Sequence, residues 1–264
     1  MVGGLRDPQR VLALWGVPRS ASTAFERMMG QRGDFDARHE PFGPPWYFGP
    51  EWQCPPQRHY QDLPDQTFAS VFAELLATAA TQPVFIKDFP HHFVHHLGPE
   101  NQAEVLAAFD HSFLIRDPAK VLPSMWDKWP DLEVQEAGYA EQHDWFDRVA
   151  EHLGRTPVVV DAEDLLDDPH GMTRRWCEAV GIDFKPEALE WEQSERSEHS
   201  WFEGGSWHEN LEKSTGFARQ QREYVDVASV PELVEMYEFC RPHYDALAVH
   251  RLRPAADAAA GSDA

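Results

Sequence analysis

Short apolar runs alternate with helix-period segments along most of this chain. Val11-Leu-Ala-Leu-Trp15 is an unbroken apolar run ending at Gly16, the pattern of a strand buried on both faces. From about Ala21 the spacing turns helical and stops at Gly30. Residues 35–39 predict a second strand. Residues 40–64, rich in Pro, Gly and aromatics, are too irregular for a helix and predict a long loop or lid. A helix is predicted over 67–81 and a third strand over 83–87, then a helix over 100–109 and a strand over 112–116. Helices over 119–126 and 142–153, a strand over 156–161, a helix over 173–180 closing at Gly181 and a late helix over 230–243 complete the pattern. Strands and helices alternating at intervals of roughly 20–40 residues predict an α/β fold, three-layer α/β/α around a central parallel sheet. Residues 1–253 are read as a single domain and 254–264 as a disordered tail.

Charge narrows the partners. Against 23 Lys and Arg stand 45 Asp and Glu, a formal net charge of −22. Such a surface repels nucleic acid and anionic lipid, so neither is an expected partner. If the ligand is itself an anion, the few cations must be concentrated where it sits. Cys54, Cys177 and Cys240 are far apart and odd in number, which gives neither a disulfide framework nor a Cys-based zinc site. With no long apolar run and no apolar signal segment near Met1, the expectation is a soluble, cytoplasmic protein.

In a parallel sheet, ligands bind beyond the C-terminal ends of the strands. Strand 1 runs there into Gly16–Thr23, and strands 3 and 4 end in Lys87-Asp88 and Arg116-Asp117, so three strand ends place charge on one rim. In Gly16-Val-Pro-Arg-Ser-Ala-Ser-Thr23, between a strand and a helix, unpaired backbone N–H groups and the helix dipole favour a bound phosphate or sulfate. Ser20, Ser22 and Thr23 add hydroxyls and Arg19 a fixed cation. Against the Walker A pattern G-x-x-x-x-G-K-[ST], Gly16 and Thr23 fit the ends, but Ala21 replaces the second Gly and Ser22 the Lys. Ser20 is also an adequate N-cap, so an ordinary capped helix start accounts for the same residues.

Two segments together carry a family resemblance. Val17-Pro-Arg-Ser-Ala-Ser-Thr-Ala24 resembles the 5′-phosphosulfate loop of sulfotransferases that use 3′-phosphoadenosine 5′-phosphosulfate. Phe113-Leu-Ile-Arg-Asp-Pro-Ala-Lys-Val-Leu-Pro-Ser124 is similar to their 3′-phosphate motif, an Arg at a strand end and a Ser eight residues on, here Arg116 and Ser124. The run from Val160 to Pro169 looks like the family's E-D-L-x-x-D-P turn, and Gly205-Ser-Trp-His-Glu-Asn-Leu211 like its late segment that closes over the nucleotide, with Trp207 among the expected contacts. The resemblance implies a P-loop NTPase-like fold, no metal, and 3′-phosphoadenosine 5′-phosphate as product. Pro18, Arg19, Ser20, Ala21, Ser22, Thr23 and Ala24 would hold the 5′-phosphosulfate, and Arg116 and Ser124 the 3′-phosphate. Three departures stand out. Ala21 replaces a usual Gly, Arg19 stands where a catalytic Lys is frequent, and Ala24 falls where relatives place a stacking Trp.

Sulfuryl transfer by in-line displacement needs charge neutralisation at the leaving phosphate and a general base at the acceptor hydroxyl. Arg19 is assigned the first task. For the second, His39 and Glu40 follow strand 2, and Asp88, His91 and His92 follow strand 3. Relatives place the base at a His after strand 3, which points to His91, or at a Glu nearer the loop, which points to Glu40. Glu40 is preferred here because Pro41 and the aromatics beyond it suggest an apolar acceptor pocket; a solvated Glu40, or one paired with Arg38, is the plainer alternative. His91/His95 and His92/His96 have i,i+4 spacing, but no third metal ligand is identifiable. Trp46, Trp52, Trp126 and Trp129 either line the acceptor site or pack the core and lid. The rival readings are a magnesium-dependent P-loop kinase or phosphotransferase, and a non-catalytic nucleotide-binding relative. An acidic enzyme points to a small neutral or cationic alcohol as acceptor.

Overall fold

A computed structural model describes residues 11–193, 214–219 and 223–254 of the chain. Among them, five parallel strands form one sheet in the order β2-β3-β1-β4-β5. The strands are β1 (Val11–Trp15), β2 (Asp36–His39), β3 (Val84–Asp88), β4 (Phe109–Ile115) and β5 (Val158–Asp161). The described helices are α1 (Ser22–Gln31), α2 (Gly43–Phe48), α3 (Phe68–Ala79), α4 (Gln102–Ala108), α5 (Pro118–Trp126), α6 (Tyr139–Leu153), α7 (Ala162–Asp167), α8 (Pro169–Val180) and, last, α9 (Pro231–Ala248).

The apolar runs are legible as strands because both sheet faces are covered. All five residues of β1 are fully buried, and alternate ones face opposite layers. Val11, Ala13 and Trp15 pack with Phe72 and Leu75 of α3, Trp145 and Val149 of α6 and Leu247 of α9. Leu12 and Leu14 pack with Phe25 and Met28 of α1 and Met172 and Trp176 of α8. These two clusters make the three layers. Cys177 sits in the second as a small apolar residue, its thiol raised to about 11 by burial.

Several boundaries differ from the sequence expectations. Phe109 fits the helix period of the preceding segment, yet it opens β4 because it pairs with Val11. α8 begins at Pro169 rather than Thr173, since Asp168 accepts the Gly171 N–H and proline suits the first helical position. The segment 40–64 is not wholly irregular: it contains α2 and a 3-10 turn at Pro56–Arg58, packed around Trp46, Tyr47, Phe48 and Cys54. No helix among the described residues is long and apolar enough to cross a membrane. Trp207, with the rest of Gly205–Leu211, and tail residues 255–264 lie outside the described residues.

Candidate active site

Parallel pairing brings every strand's C-terminal end to one edge, where a cleft of about 890 Å³ opens. Each strand delivers to it. β1 leads to Pro18, Arg19 and Ala21–Ala24, β2 to Glu40, and β3 to Phe89 and His92. β4 leads to Arg116 and, through α5, to Lys120 and Ser124, while β5 leads to Glu163 at the start of α7. Tyr47, Trp129 and Glu136 form the far wall, and residues 216–219 and 224–227 add the rim.

The β1–α1 turn is built to present backbone. Arg19 (φ 60°) and Ala21 (φ 64°) both lie in the left-handed region, at roughly 1–2 kcal/mol each for a residue with a Cβ. α3, α5, α7 and α8 each begin under a side-chain cap from Thr67, Asp117, Asp161 and Asp168. α1 begins at Ser22 after Ala21, with no side-chain cap, as is also true of α2, α4, α6 and α9, and with no acidic residue in its first turn. The cleft lies against this helix start, lined by Ala21, Ser22, Thr23 and Ala24, so its first N–H groups and dipole are available to an anion bound there. Ser20 corrects the sequence expectation on two counts. Its buried hydroxyl donates to the Val17 carbonyl at 2.6 Å, so it neither caps the helix nor points to the cleft. The hydroxyl-bearing residues that line the cleft here are Ser22 and Thr23.

The distant cations converge on this turn. Arg19 Nε donates to Ser124 Oγ at 2.9 Å. Arg116 Nη1 donates to the Arg19 carbonyl at 2.8 Å, and Arg116 Nε donates to Glu163 Oε1 at 2.9 Å. Tyr139 donates its hydroxyl proton to the Arg116 carbonyl at 2.8 Å and so fixes the backbone of the β4 end. Burial alone pushes the Glu163 carboxyl up, but hydrogen bonding from Arg219 and the charge of Arg116 outweigh it and hold it below the ordinary glutamate range.

Glu40 follows β2, and it too is left-handed (φ 43°). Its N–H donates to the Lys87 carbonyl at 2.8 Å, and its carboxylate is ion-paired with the buried Lys87 ammonium. His39 Nε2 lies 3.7 Å from the same carboxylate oxygen, while His39 Nδ1 bonds Glu26 of α1. The immediate surroundings of Glu40 are thus a buried chain of charged groups, not the apolar pocket expected from Pro41 and its neighbours. Arg38 does not reach Glu40 either; it pairs with Asp36 and Glu74.

Asp88 is the second organised carboxylate. It accepts the N–H groups of Phe42 and Phe89 at 2.7 Å each, and it bonds His92 Nδ1 at 2.7 Å. That bond orients the His92 ring, and His92 lines the cleft. His91 is placed differently. It is 1% exposed, does not line the cleft and packs against Phe89 and Trp46, with Nδ1 unpartnered among the described residues. Burial, with the neighbouring His92 second, holds its imidazole well below the ordinary value. Residues 90–96 form two 3-10 turns rather than one α-helix, so the i,i+4 histidine faces do not arise. No cluster of three or more potential metal ligands occurs among the described residues. Of the four tryptophans, Trp129 lines the cleft under the Arg58 guanidinium (3.8 Å from the ring centre). Trp46 packs the core of the 40–64 segment, Trp52 stacks on His59, and Trp126 packs beside α5's cluster. Glu136 and Arg219 lie in stretches that carry no motif, and Lys120 and Glu163 fall inside quoted motifs without standing out as candidates.

Comparison with known proteins fits this arrangement. A family model described as "Sulfotransferase domain" matches residues 9–249. Two curated relatives from Arabidopsis thaliana are named branched-chain-amino-acid aminotransferase-like protein 2 and protein 1. They are 27% identical over 91% of this chain and 22% identical over 83% of it. The chain spans about two-fifths of their length (42% and 38%). Among solved structures, a sulfotransferase from Alicyclobacillus acidocaldarius is 15% identical over 92% of this chain and 96% of its own, with a TM-score of 0.47. The sulfotransferase domain from the curacin biosynthetic pathway is 12% identical over 93% and 99%, with a TM-score of 0.46. The architecture here rests on the sheet order and pairing rather than on those scores, and the family on the match across residues 9–249: this chain belongs to the sulfotransferase-domain family.

Proposed function

We propose that this protein transfers the sulfuryl group of 3′-phosphoadenosine 5′-phosphosulfate to the hydroxyl of a small alcohol. The observation that carries the reading is the uncapped start of α1 meeting Arg19, Ser124 and Arg116 in one cleft. In a protein of net charge −22, that gathering of cations on bare N–H groups suits a ligand with two separated anionic groups. The N–H groups of residues 21–23, the hydroxyls of Ser22 and Thr23, and Arg19 hold the 5′-phosphosulfate. Arg116 and Ser124 hold the 3′-phosphate.

Chemistry follows from these positions. The acceptor oxygen attacks sulfur as the bond from sulfur to the bridging phosphate oxygen breaks. The acceptor proton passes to a base, and the electron pair leaves with 3′-phosphoadenosine 5′-phosphate. Arg19 and the α1 N-terminus stabilise the charge growing on the bridging oxygen. Glu40 serves as the base. Its left-handed backbone costs energy that a purely structural carboxylate does not require, and the buried Lys87 ammonium pairs with it and fixes its direction. His92, oriented by Asp88, is the second group of suitable chemistry in the cleft. Family membership and the absent Walker Lys favour sulfuryl over phosphoryl transfer, and the domain is expected to work without a metal. The acidic surface favours neutral or cationic acceptors. The test is release of 3′-phosphoadenosine 5′-phosphate from the phosphosulfate, in the presence of chelator, across a panel of small alcohols. Acceptor-dependent release supports the reading. Turnover of ATP–Mg instead, or no acceptor-dependent release, contradicts it.

A further inference from the structure

Of the four carboxylate residues that line the cleft, Glu40, Glu136 and Glu163 are each matched to arginine or lysine, but not in the same way. Glu40 pairs with Lys87, and Glu136 accepts from Arg58 Nε at 2.9 Å; neither cation lines the cleft. Glu163 pairs instead with Arg116 and Arg219, both of which do. It therefore holds two of the cleft's own cations, one of them the arginine that the nucleotide reading assigns to a phosphate.

The clasp has a defined geometry. Asp161 accepts the Glu163 N–H at 2.8 Å and fixes the start of α7. The Glu163 side chain then meets the Arg116 Nε and Nη2 atoms, each at 2.9 Å from Oε1. Its other oxygen, Oε2, bonds Arg219 Nη1. Arg219 also reaches Asp167 at 2.7 Å and the Glu163 carbonyl at 3.2 Å. One carboxylate thus bridges the end of β4 to the rim segment 214–219, in the position an anion takes between two guanidinium groups. The side chains are 22%, 27% and 45% exposed for Arg116, Glu163 and Arg219, so the bridge is accessible from the cleft and open to exchange.

We propose that Glu163 is an internal competitor for the second phosphate of the nucleotide: it clasps Arg116 and Arg219 and yields both to that phosphate. This rests on the nucleotide assignment above. A phosphate monoester carries nearly two negative charges against one for the carboxylate, so the exchange is favourable for that group. A nucleotide without the second phosphate has nothing to displace Glu163 with, and leaves the clasp closed. Glu163 is in this sense a selectivity residue that sets how strongly the second phosphate must pull, and it couples that phosphate to the 214–219 rim.

The experiment is a calorimetric titration of wild type, Glu163→Gln and Arg219→Ala with 3′-phosphoadenosine 5′-phosphate and, separately, adenosine 5′-monophosphate. Glu163→Gln should bind the bisphosphate about five- to tenfold more tightly than wild type, with the monophosphate unchanged within about twofold. Arg219→Ala should weaken the bisphosphate alone. Glu163→Ala carries the same expectation as the glutamine change and guards against a fault peculiar to one variant. Bisphosphate affinity that is unchanged or weaker in both Glu163 variants overturns the proposal, as does an equal gain for both nucleotides. If wild type binds neither nucleotide, the nucleotide assignment itself fails, a different result from a wild type that binds and a variant that gains nothing.

Discussion

The loop after β1 and the segment after β2 both enter the cleft through left-handed backbone, yet they are built in opposite ways. The first grips with main chain: an uncapped helix start, two strained residues at 19 and 21, and hydroxyls within the same few positions. The second works through side chains gathered from three elements, Glu26 of α1, His39 of β2 with Glu40 just beyond it, and Lys87 of β3. Under the proposed function the contrast separates binding an anion, which a short local sequence can accomplish, from handling a proton, which needs groups that only the fold brings together.

The sharpest way to break that division is to change Glu40. Glu40→Gln keeps shape and hydrogen bonding but removes the proton acceptor, and kcat should fall by about 10²–10⁴ while nucleotide affinity changes little. His92→Gln should lose far less; the reverse order would move the base to the Asp88–His92 pair. On the anion side, Arg116→Ala should weaken 3′-phosphoadenosine 5′-phosphate by roughly 10–100-fold and adenosine 5′-monophosphate by no more than about twofold. Equal losses for both would place Arg116 in general support of the loop rather than on a second phosphate.

Smaller effects test the scaffold behind each region. Gly138 has φ +70°, and a Cβ there would lie 2.4 Å from His91 Nδ1. Gly138→Ala should cost on the order of 2–3 kcal/mol in denaturant unfolding, from overpacking and backbone strain together. His91 itself, neutral because of burial, binds a proton more readily when unfolded than when folded. Its contribution to stability is therefore complete above its ordinary value and is lost as pH falls below about 6.5. Melting temperatures measured from pH 7.5 to 5 should show that acid loss in wild type and a shallower one in His91→Phe. At the donor loop, Ala21→Gly relieves a left-handed Cβ but frees the unfolded chain, so a gain between roughly 0 and 1 kcal/mol is expected. A clear loss would mean that the strain at Ala21 is absent in solution.

What could be read from the chain follows the same division. The strands were legible because burial on both faces leaves continuous apolar runs, and the parallel sheet then dictated which ends carry the site. Arg19, Ser22, Thr23, Arg116 and Ser124 could be singled out as candidates because each lies in a local motif, and all five line one cleft. Ser20 was misread, since its hydroxyl closes the turn onto Val17 and this depends on the unusual φ values around it. The surroundings of Glu40 were misread for another reason: Lys87 is 47 residues away in sequence, and nothing near Pro41 announces it. Phe109 and α2 show tertiary pairing overriding local pattern, one drawn into β4 by Val11 and the other folded within a Pro-rich stretch.

The central claim is that one cleft holds two separated anionic groups on a single adenosine nucleotide. Its most direct measurement is the calorimetric affinity of wild type for 3′-phosphoadenosine 5′-phosphate in chelator, set against ATP with magnesium. Metal-independent binding of the bisphosphate should be at least about tenfold tighter than binding of ATP–Mg. ATP–Mg binding as well or better would contradict it.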